Sequence, residues 1–389
     1  MTEPAAPSAP DAARVAAPRV LFLISDTGGG HRAAAVAIAA ALADLAPGVA
    51  CSTQDALVRC ARWPVNRAPD MYRWGMKPGR RWIWGTSFVL LDGPARARFF
   101  AHVNYGGIGP KLEALIREER PDVVVSTHPL LTHAAERATR RAAPGRPFVV
   151  VVTDLVTGHA SWYLPEADRL CLPTPQALER AAACGVPRER MILTGQPVHP
   201  KCAAAVPERD ALRRRFGWDG PTVLVVGGGD GMGNLGARVR ALAAARIPAR
   251  VVVVCGRNEA LRAELAAESW PIPVEIHGFV SNLHEMNAAA DVLVTKGGPG
   301  SVIEGCVAGL PILIYDYIPG QEVGNVRLIE DAGAGRYVPK PEDLPAAVRA
   351  YLDDPALRAA AAAAGRALAF PDSAHRIARE VLATSSAAR

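Results

Sequence analysis

The sequence predicts an α/β protein made of two Rossmann-like, doubly wound domains that face each other across a cleft. Three observations carry that expectation. The 389 residues suit two domains, each large enough to bury a core. Short apolar runs rich in β-branched residues alternate with helical stretches, and the pattern is played through twice. Three of the expected strands run straight into a glycine cluster, at the position where open parallel sheets bind ligands.

In chain order, residues 1–17 are Ala/Pro-rich with no apolar centre, which reads as a disordered tail and not as a signal peptide or anchor. The first domain, 18–200, opens with the strand Val20–Ile24, passes through Gly28-Gly29-Gly30 and continues as the helical stretch Arg32–Leu45. Strands follow at Val123–Ser126 and Phe148–Thr153, with a helix over Lys111–Glu119 that stops before Pro121. Residues 201–220, charged and ending near Pro221, read as a hinge. The second domain, 221–368, has strands at Thr222–Val226, Arg250–Val254, Asp291–Thr295 and Pro311–Tyr315. Two closing helices, Ala356–Phe370 and Ser373–Ala383, are broken at Pro371; the last segment, 369–389, is expected to cross back and pack on the first domain.

Composition narrows the class. Hydrophobic residues make up 50% and charged residues 21%, ordinary for a globular protein. The longest apolar run, Ala33–Ala43, is too short to cross a bilayer. Seven scattered cysteines with no Cys-x-x-Cys pair fit a reducing compartment and argue against a disulfide framework or a zinc site. The net charge of +6 is concentrated: Arg59–Phe100 holds nine basic residues against two acidic ones, or +7, leaving −1 for the rest. Four of the seven tryptophans, Trp63, Trp74, Trp82 and Trp84, lie in the same stretch. Amphipathic Trp among Lys and Arg suits an anionic membrane surface. The alternative is that the tryptophans pack a small subdomain and the arginines cover a solvated face. No nucleic-acid motif accompanies the basic stretch, so nucleic acid is not an expected partner.

The glycine clusters are Gly28–Gly30, Gly227–Gly233 and Gly297–Gly300. A glycine turn leading into a helix offers unpaired N–H groups and a positive dipole end to a phosphate. Singly each is weak, and a purely structural role is equally compatible. None is a P-loop, and the contiguous Gly28-Gly29-Gly30-His31 lacks the dinucleotide spacing. A nicotinamide dehydrogenase is thereby disfavoured.

The run from Thr295-Lys296-Gly297-Gly298-Pro299-Gly300-Ser301 through Glu304 to Pro319-Gly320-Gln321-Glu322 and Gly324-Asn325 resembles the donor-binding half of the monogalactosyldiacylglycerol synthases. It is similar, more loosely, to the processive diacylglycerol glucosyltransferases and the lipid-II-forming N-acetylglucosaminyltransferases of the same glycosyltransferase family 28. Ser25–Ala33, Ser126–Leu130, Val152–Leu155 and Gly227–Gly233 support it, so it spans roughly residues 20 to 340. The resemblance implies a GT-B fold, a UDP-sugar donor, a diacylglycerol acceptor and inversion at the anomeric carbon. It implies that Gly298, Pro299, Gly300 and Ser301 hold the diphosphate, Glu304 the ribose, and Gln321 and Glu322 the sugar. Phe279 and Val280 would cover the uracil; Gly29, Gly30, Gly229, Lys296 and Asn325 complete the expected donor site. Two positions depart from the family: Ser301 where Thr is usual, and Asp230 where Glu is frequent.

Inverting transfer needs a base for the acceptor hydroxyl and a counter to the charge of the departing UDP. Asp-x-Asp does not occur in the chain, so no metal or other cofactor is expected; backbone N–H groups and Lys296 would meet that charge. His31 is the first choice of base, because a helix N-terminus keeps imidazole neutral; a capping or phosphate-contacting role is its alternative. Asp154 is the second, as base or as orienter of His31, and His159 the third. His128 is expected to be structural or to position the acceptor, with Trp63, Trp74, Arg80, Arg81, Trp82, Trp84 and Trp162 on the membrane or acceptor side. The leading expectation is a peripheral enzyme at the cytosolic membrane face that makes a glyceroglycolipid, with galactose favoured over glucose. N-acetylglucosaminyl transfer to a polyprenyl-linked acceptor, another UDP-sugar reaction on this fold, or a UDP-sugar-binding protein without turnover are the alternatives. Nothing in the sequence sets the oligomeric state.

Overall fold

The computed structural model describes residues 17–76, 79–204, 208–229, 231 and 233–387. Twelve strands are defined among them: β1 Arg19–Ile24, β2 Ala50–Asp55, β3 Val123–Ser126, β4 Phe148–Val151, β5 Arg169–Leu172, β6 Met191–Leu193, β7 Thr222–Val226, β8 Arg250–Val254, β9 Val274–His277, β10 Val292–Lys296, β11 Ile312–Asp316 and β12 Gly335–Tyr337. They form two six-stranded sheets, ordered β2-β1-β3-β4-β5-β6 and β12-β11-β10-β7-β8-β9. Every pairing is parallel. This is the expected pair of doubly wound domains, and the architecture is GT-B.

The strand order fixes where a ligand can sit. From β1 the chain steps outward to β2 and then returns to the other side of β1 as β3, so the winding reverses between β1 and β3. The second sheet reverses between β7 and β10. Helices that leave in opposite directions open a crevice at the carboxyl ends of those strands. All three glycine clusters follow β1, β7 or β10.

Burial on both faces explains why β1 reads as an unbroken apolar run. Val20, Phe22 and Ile24 pack with the helix Gly30–Leu45 and with Ala374, Ile377, Ala378 and Val381 of the last helix, Ser373–Ala387. Leu21 and Leu23 face Leu112, Ile116, Leu131 and Ala135, from the helices Pro94–Glu119 and Pro129–Ala142. Each fully buried side chain of this size contributes about 1.5–3 kcal/mol. The last helix therefore belongs to the first core, and Val198 N–H donates to Ser373 Oγ (3.1 Å) where the chain re-enters it.

Some elements differ from the sequence expectation. The helix expected over Lys111–Glu119 is the end of a 26-residue helix, Pro94–Glu119, with Pro110 inside it. Residues 201–220 carry the helices Pro200–Ala203 and Arg209–Phe216. Residues 1–16 of the expected tail, Lys77 and Asp230 lie outside the described residues.

Candidate functional site

The helix Gly30–Leu45 begins at Gly29 with no side-chain cap and no acidic residue in its first turn. Its first N–H groups are left for a ligand, at the positive end of the dipole. His31 lies in that turn and is only 8% exposed. Its Nδ1 stands 2.7 Å from the Thr127 carbonyl oxygen and 3.3 Å from Thr153 Oγ1. A carbonyl can only accept, so Nδ1 carries the hydrogen and the lone pair is on Nε2. Thr127 Oγ1 closes the joint by donating to the His31 carbonyl (3.1 Å). Burial pulls the imidazole pKa down to about 4, against an upward push from the Thr127 bond. The ring is neutral at neutral pH and aimed by its neighbour's backbone.

His128 stacks edge-on to His31 at 4.4 Å and its Nε2 is 2.6 Å from Thr27 Oγ1. Burial, then the neighbouring His31, holds it well below the usual range. Asp154, three residues past β4, accepts from Trp162 Nε1 (2.7 Å) and from Gln321 Nε2 (2.9 Å). Burial raises its carboxyl to about 6, with the two donors opposing. Asp154 does not orient His31, as one expectation had it; the Thr127 carbonyl does. Instead Asp154 ties the first domain to Gln321 of the second. Trp162, expected on the membrane or acceptor side, is 0% exposed and serves as the indole partner of Asp154. That position excludes contact with a lipid surface. His159 is half-buried, with Nδ1 2.9 Å from Ser161 Oγ and its ring 5.0 Å from Phe88.

On the opposite wall the helix Pro299–Ala308 starts at Gly298, again without a side-chain cap or an acidic first turn, and with Pro299 at its head. Gly298, Pro299, Gly300 and Ser301 are all partly exposed there. Lys296, at the end of β10, is buried, with Nζ 3.9 Å from Glu322 Oε1. The other Glu322 oxygen accepts from Ile318 N–H (2.8 Å), and Asn325 Nδ2 donates to the Gly297 carbonyl (2.8 Å). Glu322 and Asn325 thus hold the two loops in shape. Burial raises the Glu304 carboxyl to about 7. Phe279 follows β9 and is 66% exposed, while Val280 packs against the buried cluster that includes Trp218 and Met286.

The two walls touch at glycines. A Cβ on Gly29 would lie 4.0 Å from Gly229 Cα, and one on Gly229 3.8 Å from Gly29 Cα. Arg257, after β8, brings Nη2 to 3.7 and 3.5 Å from those same two positions. Sequence reasoning missed it, although a cation just past the carboxyl end of a parallel strand, in Cys255-Gly256-Arg257, is a usable signal.

Away from the cleft, Trp63 is 79% and Trp82 66% exposed, and Arg80 lies 4.4 Å over the Trp74 ring. Val89, Leu90, Phe99, Phe100 and Val103 are exposed as well. Two expected members turn inward instead. Trp84 packs on Tyr72 with centroids 5.4 Å apart, and Arg81 Nη1 pairs with both oxygens of Asp316 (2.8 and 2.9 Å). Among the described residues no helix is long and apolar enough to cross a membrane.

Comparison with known proteins agrees with this geometry. The family model for monogalactosyldiacylglycerol (MGDG) synthase matches residues 31–198, and that for the glycosyltransferase family 28 C-terminal domain matches 222–377. A chloroplastic monogalactosyldiacylglycerol synthase of Spinacia oleracea is 35% identical over 345 residues, covering 84% of this chain and 64% of that protein. This chain therefore spans less than two thirds of that relative's length. A probable monogalactosyldiacylglycerol synthase 2 of Oryza sativa subsp. japonica is 35% identical over 346 residues, covering 84% of this chain and 72% of that protein. The chain belongs to the monogalactosyldiacylglycerol synthase family. The crystal structure of Acinetobacter baumannii MurG superposes with a TM-score of 0.59 at 16% identity, covering 94% of this chain and 99% of that one. That likeness bears on the fold alone. Within the family's matched first segment lie His31, Asp154 and the exposed tryptophans; the uncapped helix at Gly298 lies in the second.

Proposed function

We propose that the protein is an inverting galactosyltransferase that moves galactose from UDP-galactose to diacylglycerol at a membrane surface. The observation that carries this reading is the neutral His31, pinned through Nδ1 to the Thr127 carbonyl at an uncapped helix N-terminus that abuts Gly229 of the second domain. His31 Nε2 takes the proton of the acceptor hydroxyl as its oxygen attacks the anomeric carbon from the side opposite UDP. The leaving diphosphate lies on the N–H groups of Gly298–Ser301, with Lys296 as its cation. Glu304 receives the ribose hydroxyls and Phe279 the uracil. Gln321 reads the sugar from a position set by Asp154. No metal takes part, so turnover is expected to be insensitive to EDTA.

The acceptor is a lipid, and the exposed Trp63, Trp74, Trp82, Val89, Leu90, Phe99 and Phe100 meet the membrane. Interfacial tryptophan with nearby arginine suits an anionic headgroup layer. The cytosolic face is the side proposed, since all seven cysteines are unpaired. Incubation with labelled UDP-galactose, UDP-glucose or UDP-N-acetylglucosamine and diacylglycerol vesicles tests the reading. Galactolipid from the first donor is expected; glycolipid from none of the three would overturn it. His31→Ala is expected to lower kcat by about 10²–10⁴-fold while UDP affinity stays within a few-fold. Near-normal turnover would remove His31 as the base.

A further inference from the structure

The helix Arg81–Leu91 is apolar on two faces, and the two faces meet different surroundings. Trp82, Ile83, Val89 and Leu90 stand in solvent. Arg81, Trp84, Gly85 and Phe88, spaced i, i+3, i+4 and i+7, form one stripe and lie against the second domain or the elements joined to it. Arg81 pairs with Asp316 at the end of β11 (2.8 and 2.9 Å), with both side chains largely shielded from water. Gly85 sits so close to Pro319 that a Cβ would be 2.9 Å from its ring, and a Cβ on Gly320 would be 3.0 Å from Phe88. Tyr72, Met76 and Trp84 enclose Ile318. Asp316, Ile318, Pro319 and Gly320 are the four residues, Tyr317 apart, that lead into Gln321.

Asp316 is the node of this joint. Besides Arg81 it accepts from Tyr317 N–H (2.8 Å), and Gly233 of the second glycine loop comes so close that a Cβ would be 2.7 Å from Oδ2. Tyr72 meanwhile reaches back to the first glycine loop, 3.5 Å from where a Gly28 Cβ would be. The helix Arg81–Leu91 is therefore fastened to the loop that presents Gln321; its partner Asp316 abuts the second glycine loop, and Tyr72, from the preceding helix Ala68–Gly75, abuts the first.

We propose that Arg81 and Asp316 are positioning residues that lock the lipid-facing helix to the sugar-reading loop, so that seating the helix on a membrane sets the donor site. The proposal rests on the galactosyltransferase reading above. An ion pair that is mostly withdrawn from water and spans two domains holds geometry more than it adds net stability. Its loss leaves the loop's own bonds, Glu322 to Ile318 N–H and Asn325 to Gly297, in place. The expected defect is thus in donor affinity and not in folding.

The test measures UDP-galactose affinity and vesicle sedimentation for the full chain, Arg81→Ala, Asp316→Asn and the exchange pair Arg81→Asp with Asp316→Arg. Vesicles carry diacylglycerol and an anionic phospholipid. Wild type should bind donor several-fold more tightly with vesicles than without. Arg81→Ala and Asp316→Asn should sediment as wild type does, lose that tightening and raise donor KM roughly tenfold, about 1.4 kcal/mol, with the exchange pair recovering part of it. Unaltered donor KM in both single variants, or sedimentation weakened by Arg81→Ala as much as by Trp82→Ser, would overturn the inference alone. Wild type that does not sediment with any vesicle would overturn both it and the membrane reading.

Discussion

Between Lys296 and Asn325 three polar side chains are buried and engaged, Asn325 by the Gly297 carbonyl, Glu322 by Ile318 N–H and Lys296 by Glu322. Between Trp63 and Val103 large apolar side chains stand in water. The first region spends its polar groups on holding a shape, which a small charged ligand requires because a displacement of an ångström loses its hydrogen bonds. The second keeps its apolar groups free, which suits a partner that is extended, fluid and recognised by area more than by fit. On the proposed function one region takes a molecule and the other a surface, and the Arg81–Leu91 helix has side chains in both.

Variants that separate the two regions sharpen that contrast. Lys296→Met removes the buried cation of the donor wall and is expected to lower kcat/KM by about 10²-fold, the scale of losing one group that stabilises a leaving charge. Vesicle sedimentation of this variant should match wild type; a parallel loss of both would join the two regions into one. The double change Trp82→Ser and Leu90→Ser should weaken vesicle binding by roughly tenfold, from the apolar area withdrawn from the lipid. UDP affinity measured without vesicles should be unaltered.

The smallest effect is on stability against pH. His31 is buried neutral with its pKa lowered from 6.5 to about 4, so below about pH 6.5 the unfolded chain binds a proton that the folded chain refuses. Its contribution is intact above that pH and is lost progressively as pH falls towards 4, by about 1.4 kcal/mol per unit at most. Asp154, raised from 3.8 to about 6, acts with the opposite sign, because the folded state takes up its proton first. Urea midpoints between pH 7 and 5 should therefore fall less steeply for His31→Asn than for wild type and more steeply for Asp154→Asn. Equal slopes in all three would contradict the buried, uncharged environment of the base.

Legibility in the sequence followed burial. The strands read from sequence, β1, β3, β4, β7, β8, β10 and β11, are central strands, covered on both faces and hence written as continuous apolar runs. Those missed include all four sheet edges, β2, β6, β9 and β12. Ala50–Asp55 is polar along most of its length because one side of an edge strand faces water. The fifth, β5, is central but runs Arg169-Leu170-Cys171-Leu172, with no β-branched residue to mark it as a strand. The place of the last helix follows from the two-domain plan and not from its own pattern; the fold shows Ala374, Ile377, Ala378 and Val381 packing in the first core.

The sequence by itself determined the two parallel sheets, the glycine turns after β1, β7 and β10, and the residue types a diphosphate requires, since each is a local pattern of spacing and chemistry. Tertiary structure alone decided the pairings. It gave His31 to the Thr127 carbonyl, 96 residues away, and Asp154 to Gln321, 167 residues away. It also withdrew Trp162 and Arg81 from the surface, one to an indole–carboxylate bond and one to Asp316. No local pattern encodes these choices, because a side chain's partner depends on which strand ends the fold brings together and not on its neighbours in the chain.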